Sequence, residues 1–129
     1  MSHKVNIKTS FKNIERLLEQ FTLLGWLIEQ NVKARTYPGD PRREEIHRYV
    51  AKNPNPRGYD VGVDIEADGS ACFVCDFFDP SIEQQLGENL KKVKQGYALA
   101  ELKKFMQEED LSYSVNELPT GELVVIAEK

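Results

Sequence analysis

The sequence predicts an α+β fold: a mainly antiparallel sheet with two principal helices packed on it, in the order β-α-β-β-β-α-β-β. Three observations carry this. Two stretches repeat apolar residues at three- and four-residue steps, as amphipathic helices do. Several short stretches alternate apolar and polar residues or are rich in β-branched and aromatic residues. Between two of these lies Asp68-Gly69, a favoured hairpin dipeptide. A chain of 129 residues fits one domain spanning 1–129, and at this size folding buries roughly two-thirds of the surface the unfolded chain exposes. Within it, 36–58 reads as a basic, proline-rich loop or insert.

Taken in order, 4–8 alternates with Val5 and Ile7 on one face and reads as a short strand. Thr9 and Ser10 offer N-cap hydroxyls, after which Phe11, Ile14, Leu17, Leu18, Phe21 and Leu24 form a helical stripe ending near Gly25. In 26–35, Trp26, Ile28, Val32 and Ala34 share one parity, so this stretch is expected to return as a strand beside the first. Turn residues dominate 37–41 and 53–58. Between them, 44–52 is open between helix and strand. In 59–78 two β-prone runs flank Asp68-Gly69. A two-residue loop sets Val61, Val63 and Ile65 against Cys72 and Val74; a three-residue loop with Gly69 in a bulge sets them against Phe73, Cys75 and Phe77. The second run is apolar on both faces, so it is expected to be central. Asp79 and Pro80 open the long helical region as N-cap and first helical residue, with a bend or break allowed at Gly87 and Gly96. A last hairpin, 111–116 with 123–128, turns at Pro119-Thr120-Gly121.

The composition, 40% hydrophobic and 29% charged, is that of an ordinary globular chain. No stretch approaches the ~20 apolar residues of a spanning helix, nor does the N-terminus carry the apolar core of a secretory signal. A cytoplasmic protein without membrane association is the expectation. The formal charge of −4 is unevenly spread. From 33 to 57 seven basic residues meet three acidic ones, whereas 58–90 holds eight acidic residues and no Lys or Arg.

No catalytic set, metal site or cofactor is expected. The Cys72–Cys75 pair has half-site spacing, but on a strand residues three apart point to opposite faces, so small buried core residues are the plainer reading. His3 and His47 lie in no triad or metal spacing and read as surface or satisfied structural residues. Asp60, Asp64 and Glu66 alternate as an exposed sheet face would, although converging in a pocket they would make an enzyme's carboxylates. The candidate binding residues are Lys33, Arg35, Tyr37, Arg42 and Arg43, which mix cations with an aromatic ring. That mixture suits phosphate or single-stranded nucleic acid, or docking to an acidic protein. No glycine-rich phosphate loop accompanies it. The leading expectation is a non-enzymatic interaction or accessory module with a protein partner; the alternative is a small nucleic-acid-binding protein using 33–57.

Several short motifs also carry a resemblance. Met1-Ser2-His3 with Ile7-Lys8-Thr9, Leu24-Gly25-Trp26, Tyr59-Asp60-Val61-Gly62 and Tyr97-Ala98 before the terminal hairpin resemble the uncharacterised family encoded as conserved reading frame thirty-five of algal chloroplasts and found in cyanobacteria and other bacteria. Lys4 departs from an apolar position in that pattern, and 37–57 is longer and more charged. The resemblance implies a fold without an established activity. It further implies an accessory role beside an AAA-type ATPase, whose gene often accompanies the family's.

Overall fold

The structure, a computed structural model, describes residues 4–128. It divides into two compact units, Met1–Val93 and Lys94–Lys129, the division falling in the first turn of a helix. His3, one of the two histidines of the sequence, lies outside the described residues.

The first unit holds strands β1 (Val5–Lys8), β2 (Leu27–Lys33), β3 (Ile46–Lys52), β4 (Val61–Ile65) and β5 (Ala71–Cys75), with helices α1 (Ile14–Leu23) and α2 (Pro80–Leu86). The strands form one antiparallel sheet ordered β1-β5-β4-β3-β2. The α+β class is as predicted, and 44–52, whose pattern admits helix or strand, contributes a strand. The expectation that 26–35 returns beside 4–8 is corrected, because β1 and β2 occupy opposite edges. The cause is β5, buried along its whole length. A strand apolar on both faces takes a neighbour on each side, and β1 fills the side that β4 leaves.

The hairpin between β4 and β5 adopts the second of the two registers, with Val63 opposite Phe73 and Ile65 opposite Ala71. Its loop, Ala67-Asp68-Gly69, is closed by Glu66 N–H to Ser70 O at 2.8 Å and Gly69 N–H to Glu66 O at 2.9 Å. Gly69 sits at φ 88°, a left-handed position that glycine occupies without a Cβ penalty.

The N-cap of α1 is Asn13, whose side chain accepts from Arg16 N–H, and not Thr9 or Ser10. Thr9 is held by the sheet instead: its hydroxyl donates to Ala71 O at 2.7 Å and accepts from Phe11 N–H, keeping the chain extended past the expected start. The helix ends at Gly25 (φ 89°) with Gly25 N–H to Thr22 O and Trp26 N–H to Phe21 O, a Schellman closure. Phe21 then meets Phe73 edge-on at 5.9 Å and Trp26 at 6.3 Å, which packs α1 onto the sheet.

Asp79 caps α2 as predicted, its Oδ1 accepting from Ser81 N–H. Gly87 (φ 83°) ends that helix, and a short 3-10 turn, Glu88–Leu90, follows before α3 (Lys91–Glu108) runs unbroken through Gly96. Of the two glycines allowed as a break, only Gly87 makes one.

The second unit contains α3 from Lys94 onward and a hairpin of β6 (Ser112–Glu117) and β7 (Leu123–Glu128). This turn repeats the construction of the first. Leu118 N–H reaches Glu122 O and Gly121 N–H reaches Leu118 O, both at 2.8 Å, with Gly121 at φ 86°. Pro119 supplies the fixed φ for the second position of the turn.

Candidate functional site

The basic segment folds back on its own unit. Lys33, on β2, pairs with Glu44. Arg43 donates to Pro38 O and pairs with Glu44 at 3.6 Å. Arg42 Nε donates to Glu45 at 2.8 Å and its Nη1 reaches Asn6 Oδ1 on β1 at 3.2 Å. Lys4, at the start of β1, donates to Arg42 O at 3.0 Å and stands 4.0 Å from the buried Asp40. The loop that leaves the β2 edge is thereby fastened to β1, the opposite edge. These pairs hold the Glu44 and Glu45 carboxyls below, and the Arg42 guanidinium above, their ordinary ranges, in each case chiefly through the hydrogen bond to the partner. Tyr37 is half-buried, its ring lying against Gly39.

Arg35 is the best anchored of the five candidates. Its Nη2 donates to Asp60 Oδ1 at 2.8 Å and to Asn53 O at 2.6 Å, its Nη1 to Pro56 O, and its backbone N–H to Asp60 Oδ2 at 2.7 Å. Asp60 also accepts from Asn53 N–H at 2.8 Å and stands 3.0 Å from Lys52 Nζ. Its side chain is fully buried. The expectation that Asp60 belongs to a solvated sheet face is therefore corrected. A buried carboxylate is tolerated in the interior only where opposite charge and donors compensate its lost hydration, and here five donor groups do so. Every strong acceptor position of Asp60 is occupied, which leaves none for a substrate or a metal.

Asp64 takes a different role. Its Oδ2 lies 2.8 Å from His47 Nδ1 and its Oδ1 accepts from Arg48 N–H at 3.1 Å. The β2–β3 ladder skips Asn31, at φ 54°, and Arg48. That interruption turns His47 to the face of Gly62 and Asp64, where a Cβ on Gly62 would stand 2.7 Å from the imidazole. His47 is only 1% exposed and its Nε2 has no hydrogen-bond partner among the described residues. A carboxylate-oriented imidazole has the makings of a general base, but the nitrogen that would take the proton is closed off from solvent. Sequence reasoning missed the pair because His47 and Asp64 lie 17 residues apart on strands whose local register the periodicity does not reveal.

Asp60, Asp64 and Glu66 do not converge. The first sits in the ion cluster and the second on His47, while the Glu66 backbone closes the hairpin loop. Cys72 and Cys75 are both buried and not joined in a disulfide, and alternation along β5 sends them to opposite faces. Burial pushes the Cys72 thiol up, with the nearby Glu66 charge adding to it. Among the described residues no three His, Cys, Asp or Glu side chains are grouped to hold a metal, and no helix is long and apolar enough to cross a membrane.

The second unit presents a different surface. Tyr113, Val115, Leu118, Val124 and Ile126 of the hairpin are all exposed. A cavity of about 370 Å³ opens between α3 and β7, lined by Ala98, Leu99 and Leu102 on the helix and by Leu123 and Val125 on the strand, with Glu122 at its turn end. Gln95 Nε2 donates to Gly121 O at 3.2 Å and ties the turn to the helix.

The two units thus define an α+β protein whose candidate cations Lys33, Arg35, Arg42 and Arg43 pair with carboxylates of their own unit, and whose hairpin carries exposed apolar side chains. Neither a family model, nor a curated protein, nor a solved structure matches the chain.

Proposed function

We propose that the chain is a non-enzymatic interaction module, a cytoplasmic accessory or regulatory subunit that docks a protein partner. The observation that carries this reading is the terminal hairpin, whose large apolar side chains stand exposed beside an apolar groove. Large apolar side chains exposed on both faces of one hairpin, beside an apolar groove, are surface of the kind that marks interaction sites. The family resemblance supplies the partner to try first, an AAA-type ATPase. The alternative, nucleic-acid binding through 33–57, has less support. Lys33, Arg35, Arg42 and Arg43 each already engage a carboxylate of the same unit, and a neutralised cation releases few counterions from a phosphate backbone.

The test is co-expression with an AAA-type ATPase of the kind the family resemblance implies, followed by light scattering on the purified material. A complex of defined stoichiometry is expected. The reading is overturned if the purified chain by itself turns over nucleotides or phosphoesters and His47→Gln or Asp64→Asn abolishes that turnover while the fold, checked by circular dichroism, is retained.

A further inference from the structure

If the chain is an interaction module, as proposed, the groove between α3 and β7 narrows the kind of partner it takes. In the β6–β7 register Leu123 lies opposite Glu117 and Val125 opposite Val115. Leu123 and Val125 line the groove, whereas Glu117 and Val115 do not. The groove therefore lies on the β7 side of the hairpin, and β7 is an edge strand of its two-stranded sheet.

An edge strand offers a row of unpaired N–H and C=O groups, and proteins usually blunt such an edge with lysine, proline or a bulge. From Leu123 to Ala127 β7 has none of these, and its ladder to β6 is regular. A floor of helix beside an unprotected strand edge is what strand addition needs. Main-chain hydrogen bonds supply affinity, and alternate side chains drop into the groove. A cavity of about 370 Å³ lies within the range of pockets that bind ligands.

Charge selects the occupant. The apolar run is bracketed by Glu122 and Glu128, and Glu117 faces Leu123 across the hairpin. Self-pairing of β7 with a second copy, centred on Val125, would set Glu122 against Glu128, and like charges directly opposite are destabilising. A foreign strand carrying cations at its two ends meets the same carboxylates favourably. The geometry points to β7 as the acceptor edge for an extended segment of a protein partner, with apolar residues at alternate positions and Lys or Arg at both ends. Six residues of strand, about 20 Å, separate the two carboxylates.

A capped peptide, Lys-Val-Thr-Val-Thr-Val-Lys, titrated into the full chain at about 50 mM salt tests this, read by calorimetry and by amide chemical shifts. Saturable binding is expected, with shifts confined to β7 and the facing turns of α3. Glu122→Lys, an exposed turn position that leaves the core untouched, is expected to weaken it at least tenfold. A peptide with Pro at its central Val, which removes a main-chain donor, is expected to lose binding. Shifts elsewhere, no saturation, equal affinity for a Glu-ended peptide or for the Pro peptide, or concentration-dependent dimers of the free chain that occupy β7 would each overturn the assignment. If Glu122→Lys and Val125→Arg still form the ATPase complex at wild-type affinity, the docking edge is wrong while the interaction-module reading stands.

Discussion

At the scale of single residues, Asp60 carries the heaviest electrostatic load in the first unit. Its buried carboxylate holds Arg35, Lys52 and the Asn53 backbone together, so removing its charge deprives Arg35 of its counter-ion and leaves Lys52 only Glu29, at 3.7 Å. Asp60→Asn is expected to cost about 3 kcal/mol or more, the size found when one member of a buried pair is deleted. The urea midpoint measures it, and a loss under about 1 kcal/mol would show that Arg35 and Lys52 find other compensation. Lys33→Ala removes only a solvent-exposed pair and should stay within about 1 kcal/mol. Glu45 adds a pH dependence of known sign. Arg42 lowers its folded-state pKa below the ordinary 4.5, so its contribution is present above that value and fades as pH falls through the folded one. The stability difference between the native chain and Glu45→Gln should therefore be measurable at pH 7, under about 1 kcal/mol because the pair is near the surface, and should shrink progressively as the pH is taken down below the ordinary 4.5.

At the scale of elements, the irregular stretch of β3 rests on Gly62. The His47 ring occupies the space a Cβ would take, so Gly62→Ala must move either the imidazole or strand β4. A cost of about 1–3 kcal/mol is expected, typical of overpacking, together with a perturbed His47 ring resonance in NMR. An unmoved resonance would mean that the backbone yields instead. The elements themselves are largely readable in the sequence. The stripe from Ile14 to Leu24 and the Asp79-Pro80 opening are local signals, and local signals survive into the structure. Asp68-Gly69 announces the hairpin but not its register, because both loop lengths use the same dipeptide. The segment 44–52 is undecided in sequence because Ile46, Tyr49 and Val50 fit either period over so few residues, and its pairing with β2 and β4 is what makes it a strand.

At the scale of the whole molecule, the charge asymmetry of the sequence turns out to be largely complementary in space. The basic stretch and the acidic stretch that follows it meet at Arg35 with Asp60 and at Lys52 with Asp60, and the basic stretch also neutralises itself through Glu44 and Glu45. The candidate cations are thus already paired, on a chain of net charge −4. Gel-shift assays with single-stranded DNA and RNA should show no retardation even at about 50 mM salt, where phosphate contacts are strongest; a shift that weakens steeply with added salt would restore the nucleic-acid reading. The sequence locates the basic candidates correctly as residues but not as a surface, since pairing partners 11 and 25 residues away, Glu44 for Lys33 and Asp60 for Arg35, are invisible to a linear count. The groove beside β7 escapes sequence reading for a similar reason: a strand apolar on both faces looks the same in sequence whether or not its outer edge is covered.

The pairing of β1 with β5 also governs how the chain can be made. Val5 faces Cys75, some 70 residues later, and ribosomes add roughly 5–20 residues per second. On the ribosome β1 therefore waits roughly 3–15 s for its partner, a period in which the half-exposed Ile7 has no sheet to join. Synonymous codon changes that slow translation between residues 45 and 75 would lengthen that wait and lower the soluble yield of an unchanged polypeptide.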